Sequence, residues 1–200
     1  SGGCRLDGWM NDGTSVILKY GIPDNLSTAK KIAEGSVTTQ TIYVDAVNGS
    51  DTQYEGGSTQ ARALKTLSMA LQKVQYAKKA VIYLAAGTYT VPDKTLTLLG
   101  QDVRIYGDTA ATTILQGNLI CENSFVLIRR ITIDSTDSTT ANPTADTITL
   151  QYRAAIRMVD CIVNTAGKNA VSLTEMSNAN LVNTIFQGAT QYAVYVTGLS

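Results

Sequence analysis

The chain contains no histidine among its 200 residues. This absence excludes Ser-His-Asp and Cys-His catalysis, histidine-ligated zinc and proton transfer through an imidazole. The 16 basic residues balance the 16 acidic residues, so we expect neither nucleic acid nor an anionic membrane surface as a partner. No apolar run approaches the ~18 residues of a membrane-spanning helix, and we predict no membrane span. Any catalysis must therefore use carboxylates, Lys, Arg, Tyr or a bound ion.

Cysteine and phenylalanine are also scarce. The three cysteines, Cys4, Cys121 and Cys161, form no CxxC pair, and their odd number does not fit a disulfide framework. We expect buried structural thiols, and Cys161 in particular is predicted to point inward. The chain has two Phe but ten Tyr, and this excess of Tyr favours β structure.

Residues 1–40 differ in pattern from the rest of the chain. They are rich in turn residues around a short strand candidate, Ser15–Tyr20, and they are too few for a separate core. We predict an attachment or cap segment here and a β domain over residues 41–200. Within that domain we predict a helix at about residues 59–76, because apolar residues recur there with a 3.6-residue period: Leu64, Leu67, Leu71 and Val74.

Short apolar strands recur after Thr95 at near-constant intervals. Equivalent places are predicted for three sets of residues: Ile105, Ile128, Met158 and Val182; Ile131, Cys161 and Thr184; Ile133, Val163 and Phe186. Such columns are typical of a solenoid, in which each coil covers the apolar face of the next. We therefore predict an all-β fold, a right-handed parallel β-helix. The amphipathic helix is predicted to be a lid that protects the first coil.

Four short motifs in this region resemble the start of a known class of proteins. They are Ile42–Asp45, Asn48–Asp51, Leu64–Leu67 with Ala70 and Leu71, and Leu84–Tyr89. Over roughly residues 41–200 the chain is similar to pectate-lyase-like right-handed β-helix proteins. That class includes extracellular polysaccharide lyases, surface proteins, phage tailspikes and other virion appendages. The resemblance implies a virion or extracellular location, but one scaffold hosts many functions.

The resemblance also suggests where a catalytic site would lie. Similar lyases use an exposed Arg or Lys as base beside Ca²⁺-binding carboxylates, and Arg104 and Arg157 are the matching candidates, in one outward column with Leu127 and Leu181. A glycoside hydrolase would need two carboxylates on either side of the scissile bond, for which Asp134 and Asp137 are best placed. The acidic residues do not line up across coils, so we expect neither set to be catalytic.

Two further groups of residues could bind ligands. Asp45, Asp51 and Glu55 offer hard oxygen atoms for Ca²⁺, but their spacing does not match an EF-hand and we expect no cofactor. Exposed tyrosines could bind sugar rings or serve an interface between chains, and the sequence leaves this open. The candidates are Tyr106, Tyr152 and Tyr192, together with Tyr83, Tyr89 and Tyr195.

Two hypotheses for function follow. The first is a virion structural or adhesion protein, such as a phage tailspike, fibre or capsid-decorating component, which attaches to other virion proteins through residues 1–40 and contacts host-surface polysaccharide. The alternative is an extracellular polysaccharide lyase or glycoside hydrolase. No charged cluster or Pro protects the apolar strand near Gln191–Leu199, so either the natural chain continues or other subunits cover this end. Because the similar phage appendages are trimers, we predict a homotrimer with Gln191–Leu199 near a subunit contact.

Overall fold

A computed structural model describes residues 9–11, 16–18, 39–52, 56–74 and 79–198. The chain divides into two compact units, Ser1–Val37 and Thr38–Ser200. In the first unit, β1 (Trp9–Asn11) pairs antiparallel with β2 (Val16–Leu18). In the second unit, the described residues are mostly β-strand with a single α-helix, and the strands pair in parallel. The functional features discussed below lie in the second unit.

One sheet of the second unit contains six parallel strands, and we call it row 1. Its strands follow the order of the chain, so each new strand is added to the same edge of the sheet. In that order they are β3 (Gln40–Val44), β4 (Ala80–Leu84), β6 (Asp102–Gly107), β8 (Phe125–Arg129), β11 (Ala155–Val159) and β14 (Asn178–Val182).

The other parallel sheet has two arms, because its two longest strands each contribute to both. These are β5 (Gly87–Leu99) and β7 (Thr113–Glu122). Their pairing shifts register between Thr90 and Thr95, which separates the two arms. In β7 the change falls at Gly117, where φ is +141° and an added Cβ would lie 2.3 Å from Cγ2 of Val91.

We call these arms row 2 and row 3. Row 2 continues from the first half of β7 through β9 (Thr132–Asp134), β12 (Ile162–Asn164) and β15 (Ile185–Gln187). Row 3 continues from the second half of β7 through β10 (Ile148–Gln151), β13 (Asn169–Leu173) and β16 (Tyr192–Val196). From β4 onward, each passage of the chain visits row 1, row 2 and row 3 in the same order.

Side chains from all three rows form one hydrophobic core. In each row, alternate residues point inward and are buried, as expected for strands with one face on a core. Members from row 1 include Ile42, Ile82, Ile105 and Ile128; from row 2, Leu115, Ile133 and Val163; and from row 3, Leu98, Leu119, Leu150 and Val171.

The predicted stacking of repeats is confirmed at most positions and wrong at one. Ile105, Ile128 and Met158 are register partners in row 1, as predicted. The partner of Met158 in the last strand is Leu181, whereas the sequence analysis assigned Val182. Leu181 packs against the core and Val182 is exposed. The two neighbouring apolar residues made the register ambiguous by one position, and such a slip reverses the faces of a strand.

The inward position of Cys161 is confirmed. The pairing of β9 with β12 and of β12 with β15 aligns Cys161 with Ile131 and Thr184, and the thiol is buried. Burial raises the pKa of the Cys161 thiol, and it raises the pKa of the buried Cys121 thiol to about 12. Both cysteines are free, whereas Cys4 lies outside the described residues.

The α-helix, α1 (Leu67–Val74), begins later than predicted. Gln60–Arg62 form a 3-10 turn instead, and Leu64 then makes an isolated parallel bridge to Val44. The helix buries Leu67, Ala70, Leu71 and Val74 and lies against β3 and β5, at the beginning of the rows. The predicted start at about residue 59 is therefore wrong, because Leu64 satisfies its backbone in the sheet before the helix starts.

Candidate functional site

The two arginine candidates lie on the outer face of row 1. Arg104 and Arg157 are both exposed and stand on either side of Leu127 in one register column, about 10 Å apart at the usual strand spacing. The column continues to Asn180, whereas the sequence analysis assigned Leu181 to it. No carboxylate occupies this column among the paired residues of the row.

The two carboxylate candidates for hydrolysis stabilise a loop. Oδ1 of Asp134 accepts hydrogen bonds from the backbone N–H and the hydroxyl of Thr136, at 2.9 and 2.6 Å. Oδ1 of Asp137 accepts hydrogen bonds from the backbone N–H and the hydroxyl of Thr139, both at 2.8 Å. The backbone N–H of Thr139 lowers the pKa of Asp137. Each of the two carboxylates therefore stabilises a turn of the loop by accepting hydrogen bonds from the residue two positions later.

The calcium candidates are also engaged in local structure. Asp45 accepts hydrogen bonds from the backbone N–H groups of Val47 and Asn48, both at 2.9 Å, and the second of these lowers its pKa. Glu55 lies outside the described residues. Within the described ranges, no group of three or more Cys, Asp and Glu side chains could hold a metal ion.

Asp51 holds the residue that caps the α-helix, from a distance in sequence. Its carboxylate accepts hydrogen bonds from the backbone N–H of Lys65 at 2.8 Å, the backbone N–H of Thr66 at 3.2 Å and the Thr66 hydroxyl at 2.7 Å. The Thr66 hydroxyl oxygen in turn accepts the N–H of Met69 at 3.2 Å, which is the pattern of an N-cap residue. Thr66 is therefore the N-cap of α1, and Asp51 holds Thr66 in place.

The tyrosine candidates fall into different environments. Tyr89 is buried, and its hydroxyl donates to the carbonyl oxygens of Ala85 and Val44 at 2.8 and 3.2 Å. Burial raises the pKa of Tyr89 to about 12, so this residue is structural and its assignment as a sugar-binding candidate is wrong. Tyr152 is 55% exposed in a turn with a positive φ of 55°. It lies apart from Tyr106, which belongs to row 1.

Three tyrosines form a ladder on the outer face of row 1. Tyr43, Tyr83 and Tyr106 are register partners on β3, β4 and β6. The ring centroids of Tyr43 and Tyr83 are 5.5 Å apart and their planes differ by 18°, so these rings stack. The centroids of Tyr83 and Tyr106 are 5.6 Å apart at 61°, an edge-to-face arrangement. Both geometries are favourable aromatic contacts.

The ladder borders an open groove of about 440 Å³. Asp108 and Arg130 lie at the rim beside Tyr106, and Asp45 lies beside Tyr43. We call the three tyrosines with Asp108 and Arg130 the tyrosine groove. Within the described part of the chain, neither the Asp108 carboxylate nor the Arg130 guanidinium has a hydrogen-bond or ion-pair partner. Both groups are therefore available to a ligand.

The backbone around Tyr106 is held firmly. The N–H of Asp108 donates to the Thr113 hydroxyl at 3.1 Å, and the N–H of Arg130 donates to the carbonyl of Val159 at 3.0 Å. A Cβ at Gly107 would be 2.3 Å from the carbonyl oxygen of Arg130. The backbones of Gly107 and Arg130 therefore approach closely.

The sequence analysis found Tyr83 and Tyr106 but missed Tyr43 and Arg130. A signal was present, because each ladder tyrosine directly follows an inward isoleucine: Ile42, Ile82 and Ile105. Arg130 lies in a turn and has a positive φ, as do Asp160 and Asn183 at the equivalent turns of later passages. The sequence spacing of a turn residue does not show that Arg130 lies near Tyr106.

A second feature lies at the far end of the rows. Among the described residues, β14, β15 and β16 each pair with one neighbour only. Val194 and Val196 are register partners of Val171 and Leu173. Those partners are 0% and 6% exposed, but Val194 and Val196 are 39% and 48% exposed. We call β14, β15 and β16 the open end.

The open end combines exposed apolar surface with a lack of charge. Val182, Ile185 and Tyr192 are also large and exposed, and the rings of Tyr192 and Tyr195 stack with centroids 5.6 Å apart. Residues 178–198 include no Asp, Glu, Lys or Arg. Exposed strand edges in soluble proteins are usually protected by such charges.

Comparison with known proteins adds no assignment. Neither the models of protein families, nor curated protein sequences, nor solved structures give a match to this chain. The likeness to pectate-lyase-like proteins and tailspikes therefore stays a prediction from the motifs. No helix among the described residues is long and apolar enough to cross a membrane.

Proposed function

We propose that this chain is a structural or adhesion module of a virion appendage, built as a right-handed parallel β-helix that assembles into a homotrimer. The observation that carries the proposal is the set of three parallel rows around one core, and the uncharged apolar surface of the open end supports the assembly. The three rows, visited in the same order on each passage of the chain, support the β-helix. Their parallel ladders and common core make a stiff scaffold.

The register explains why the open end needs a cover. Val194 extends the column of Leu119, Ile148 and Val171, which are all buried. Leu181 and Phe186 likewise extend the buried columns of Met158 and Val163. Side chains of a core column left in water lose the transfer free energy that the other members gain. Further strands, from this chain or from another copy, would restore it.

The chemistry of the open end favours contact between identical copies. The surface has no charge to repel a second copy, and its Asn, Gln and Thr side chains both donate and accept hydrogen bonds. Tyr and aliphatic residues are typical of interface cores. The number of three copies follows from the resemblance to trimeric virion appendages. Binding to other virion proteins through residues 1–40 is part of the same proposal.

The proposal is tested by a charge placed in the open end. Val194→Lys is expected to reduce or abolish assembly, because a lysine at a covered core position is costly to desolvate. Leu99→Lys is the matched control: Leu99 is an exposed apolar residue of row 3 at the other end of the row, and the variant should assemble as the unmodified chain does. Equal assembly of both variants would contradict the proposal.

The alternative, a polysaccharide lyase or hydrolase, has its own assay. On acidic polysaccharides we expect no release of unsaturated sugars, since Arg104 and Arg157 have no carboxylate in their column. Release of unsaturated sugars that stops in Arg104→Ala or Arg157→Ala would replace the structural proposal with a lyase.

A further inference from the structure

We propose that Asn48 is a site of covalent modification, at which the chain forms isoaspartate when the turn that begins at Asp45 opens. Asn48 precedes Gly49, and no other asparagine of the chain is followed by glycine. Because glycine has no Cβ, its backbone nitrogen is unhindered, and an asparagine side chain before it is attacked most readily. Asn48 is exposed, so water reaches it. This modification does not depend on the proposed function.

The reaction needs only water. The backbone nitrogen of Gly49 loses its proton to solvent and attacks Cγ of Asn48, and the side-chain amide leaves as ammonia. Water then hydrolyses the cyclic imide at either of its carbonyl carbons. Cleavage between the nitrogen and Cγ gives aspartate, whereas cleavage between the nitrogen and the backbone carbonyl carbon gives isoaspartate, whose main chain runs through Cβ and Cγ. Overall, water is consumed and ammonia is released, with no oxidation or reduction.

Asp45 holds both reacting groups in the closed turn. The N–H of Gly49 donates to the backbone carbonyl oxygen of Asp45 at 2.9 Å, so the proton that must leave is engaged in a hydrogen bond. Nδ2 of Asn48 donates to Oδ2 of Asp45 at 3.1 Å, and the backbone N–H of Asn48 donates to Oδ1 at 2.9 Å. The reaction therefore proceeds from the opened turn, whose population is set by the free energy of local opening.

The backbone around Gly49 has no room for the additional main-chain atom of isoaspartate. A Cβ on Gly49 would overlap the carbonyl oxygens of Leu64 and Asp45. The next backbone N–H, that of Ser50, donates to the carbonyl oxygen of Ala63 at 3.0 Å. An inserted carbon lengthens the main chain by about one bond, ~1.5 Å, so these contacts cannot all form again. Isoaspartate at residue 48 therefore prevents the turn from closing.

The test compares the folded chain with the same chain in guanidinium chloride, at one mildly alkaline pH and one temperature. Peptide mapping by mass spectrometry measures isoaspartate at residue 48, and we expect conversion in the folded chain to be at least ~10-fold slower. Asp45→Ala removes both carboxylate acceptors of Asn48 and should speed conversion in the folded chain about fivefold. Asp137→Ala, which removes a similar turn carboxylate from another loop, is the control and should convert as the unmodified chain does.

The effect of the product is tested against a variant of equal charge. Isoaspartate chains are isolated from the denatured sample by chromatography and returned to folding conditions, and Asn48→Asp supplies the same charge on an ordinary main chain. We expect the isoaspartate chain to unfold at a lower denaturant concentration than Asn48→Asp. The inference is overturned if the folded chain converts as fast as the denatured chain, if Asp45→Ala converts no faster than Asp137→Ala, or if the isoaspartate chain is as stable as Asn48→Asp.

Discussion

The two ends of the rows differ in whether the residues of the core columns are covered. At the beginning, α1 places Leu67, Ala70, Leu71 and Val74 against the core, and all four are buried. At the open end, Val194 and Val196 occupy core columns and are exposed. One end has a cover from its own chain, and the described residues offer none for the other. The difference teaches that exposure must be judged by register, since an exposed valine in a core column marks a position that a further strand can cover.

The largest effect is expected where the first end is closed. Leu67→Ala should lower the free energy of unfolding by ~2–5 kcal/mol, because Leu67 is 1% exposed and the cavity left by the truncation cannot collapse fully. Chemical denaturation measures this change. Gln72→Ala, on the exposed side of the same helix, is the control and should change stability by no more than about 0.5 kcal/mol. Equal losses in both variants would show that the helix is not a cover.

The body between the ends can be tested with its two buried thiols. Cys121→Ser should lower the free energy of unfolding by ~1–3 kcal/mol, since the new hydroxyl is buried in an apolar site. Cys161→Ser should cost less. The Cys161 thiol already donates to the carbonyl oxygens of Val159 and Ile128, at 3.3 and 3.6 Å, and a hydroxyl can use the same acceptors. A larger loss in Cys161→Ser would count against the placement of these residues.

The residues just before α1 depend on Asp51. Asp51→Ala should lower the free energy of unfolding by ~1 kcal/mol, because three hydrogen bonds that hold Lys65 and the N-cap residue Thr66 disappear. Asp51→Asn keeps an acceptor oxygen and should lose less. Thermal unfolding measures both changes, and identical behaviour of the two variants would mean that the Asp51 carboxylate does not hold the N-cap residue.

The smallest effect is a pH dependence at the same end. The backbone N–H of Asn48 lowers the pKa of Asp45. The folded state therefore gains stability from ionised Asp45 at pH values above the ordinary carboxyl pKa of ~3.9. This gain is lost as the pH falls through the lowered pKa. Asp45→Asn should reduce the acid-induced loss of stability below about pH 4. An unchanged acid profile would show that ionised Asp45 does not stabilise the folded state.

Much of the fold could be predicted from the sequence because its repeats carry a regular apolar pattern. The stack of Ile105, Ile128 and Met158 is one example. Only the last strand of row 1 was misaligned, because Leu181 and Val182 are both apolar and only backbone pairing distinguishes them. The start of α1 was missed because Asp51, which holds the N-cap residue Thr66, is distant in sequence and the apolar stripe continues back to Leu64.

The candidate site was less predictable, for a physical reason. Tyr43 and Tyr83 are neighbours because β3 pairs with β4. A long loop and α1 separate these two strands along the chain, so the interval between the two tyrosines does not match the interval of the later repeats. Arg130 reaches the groove from a turn with positive φ, and sequence spacing does not reveal the direction of such a residue. Turn carboxylates such as Asp134 and Asp137 look like catalytic candidates until their hydrogen bonds are known.

The central claim is the proposed homotrimer. Light scattering of the unmodified chain, over a dilution series from micromolar concentrations, tests it most directly. The account predicts a species of three times the 21.3 kDa chain mass that dissociates or aggregates in Val194→Lys. A monodisperse monomer of 21.3 kDa that stays soluble at micromolar concentration would contradict it.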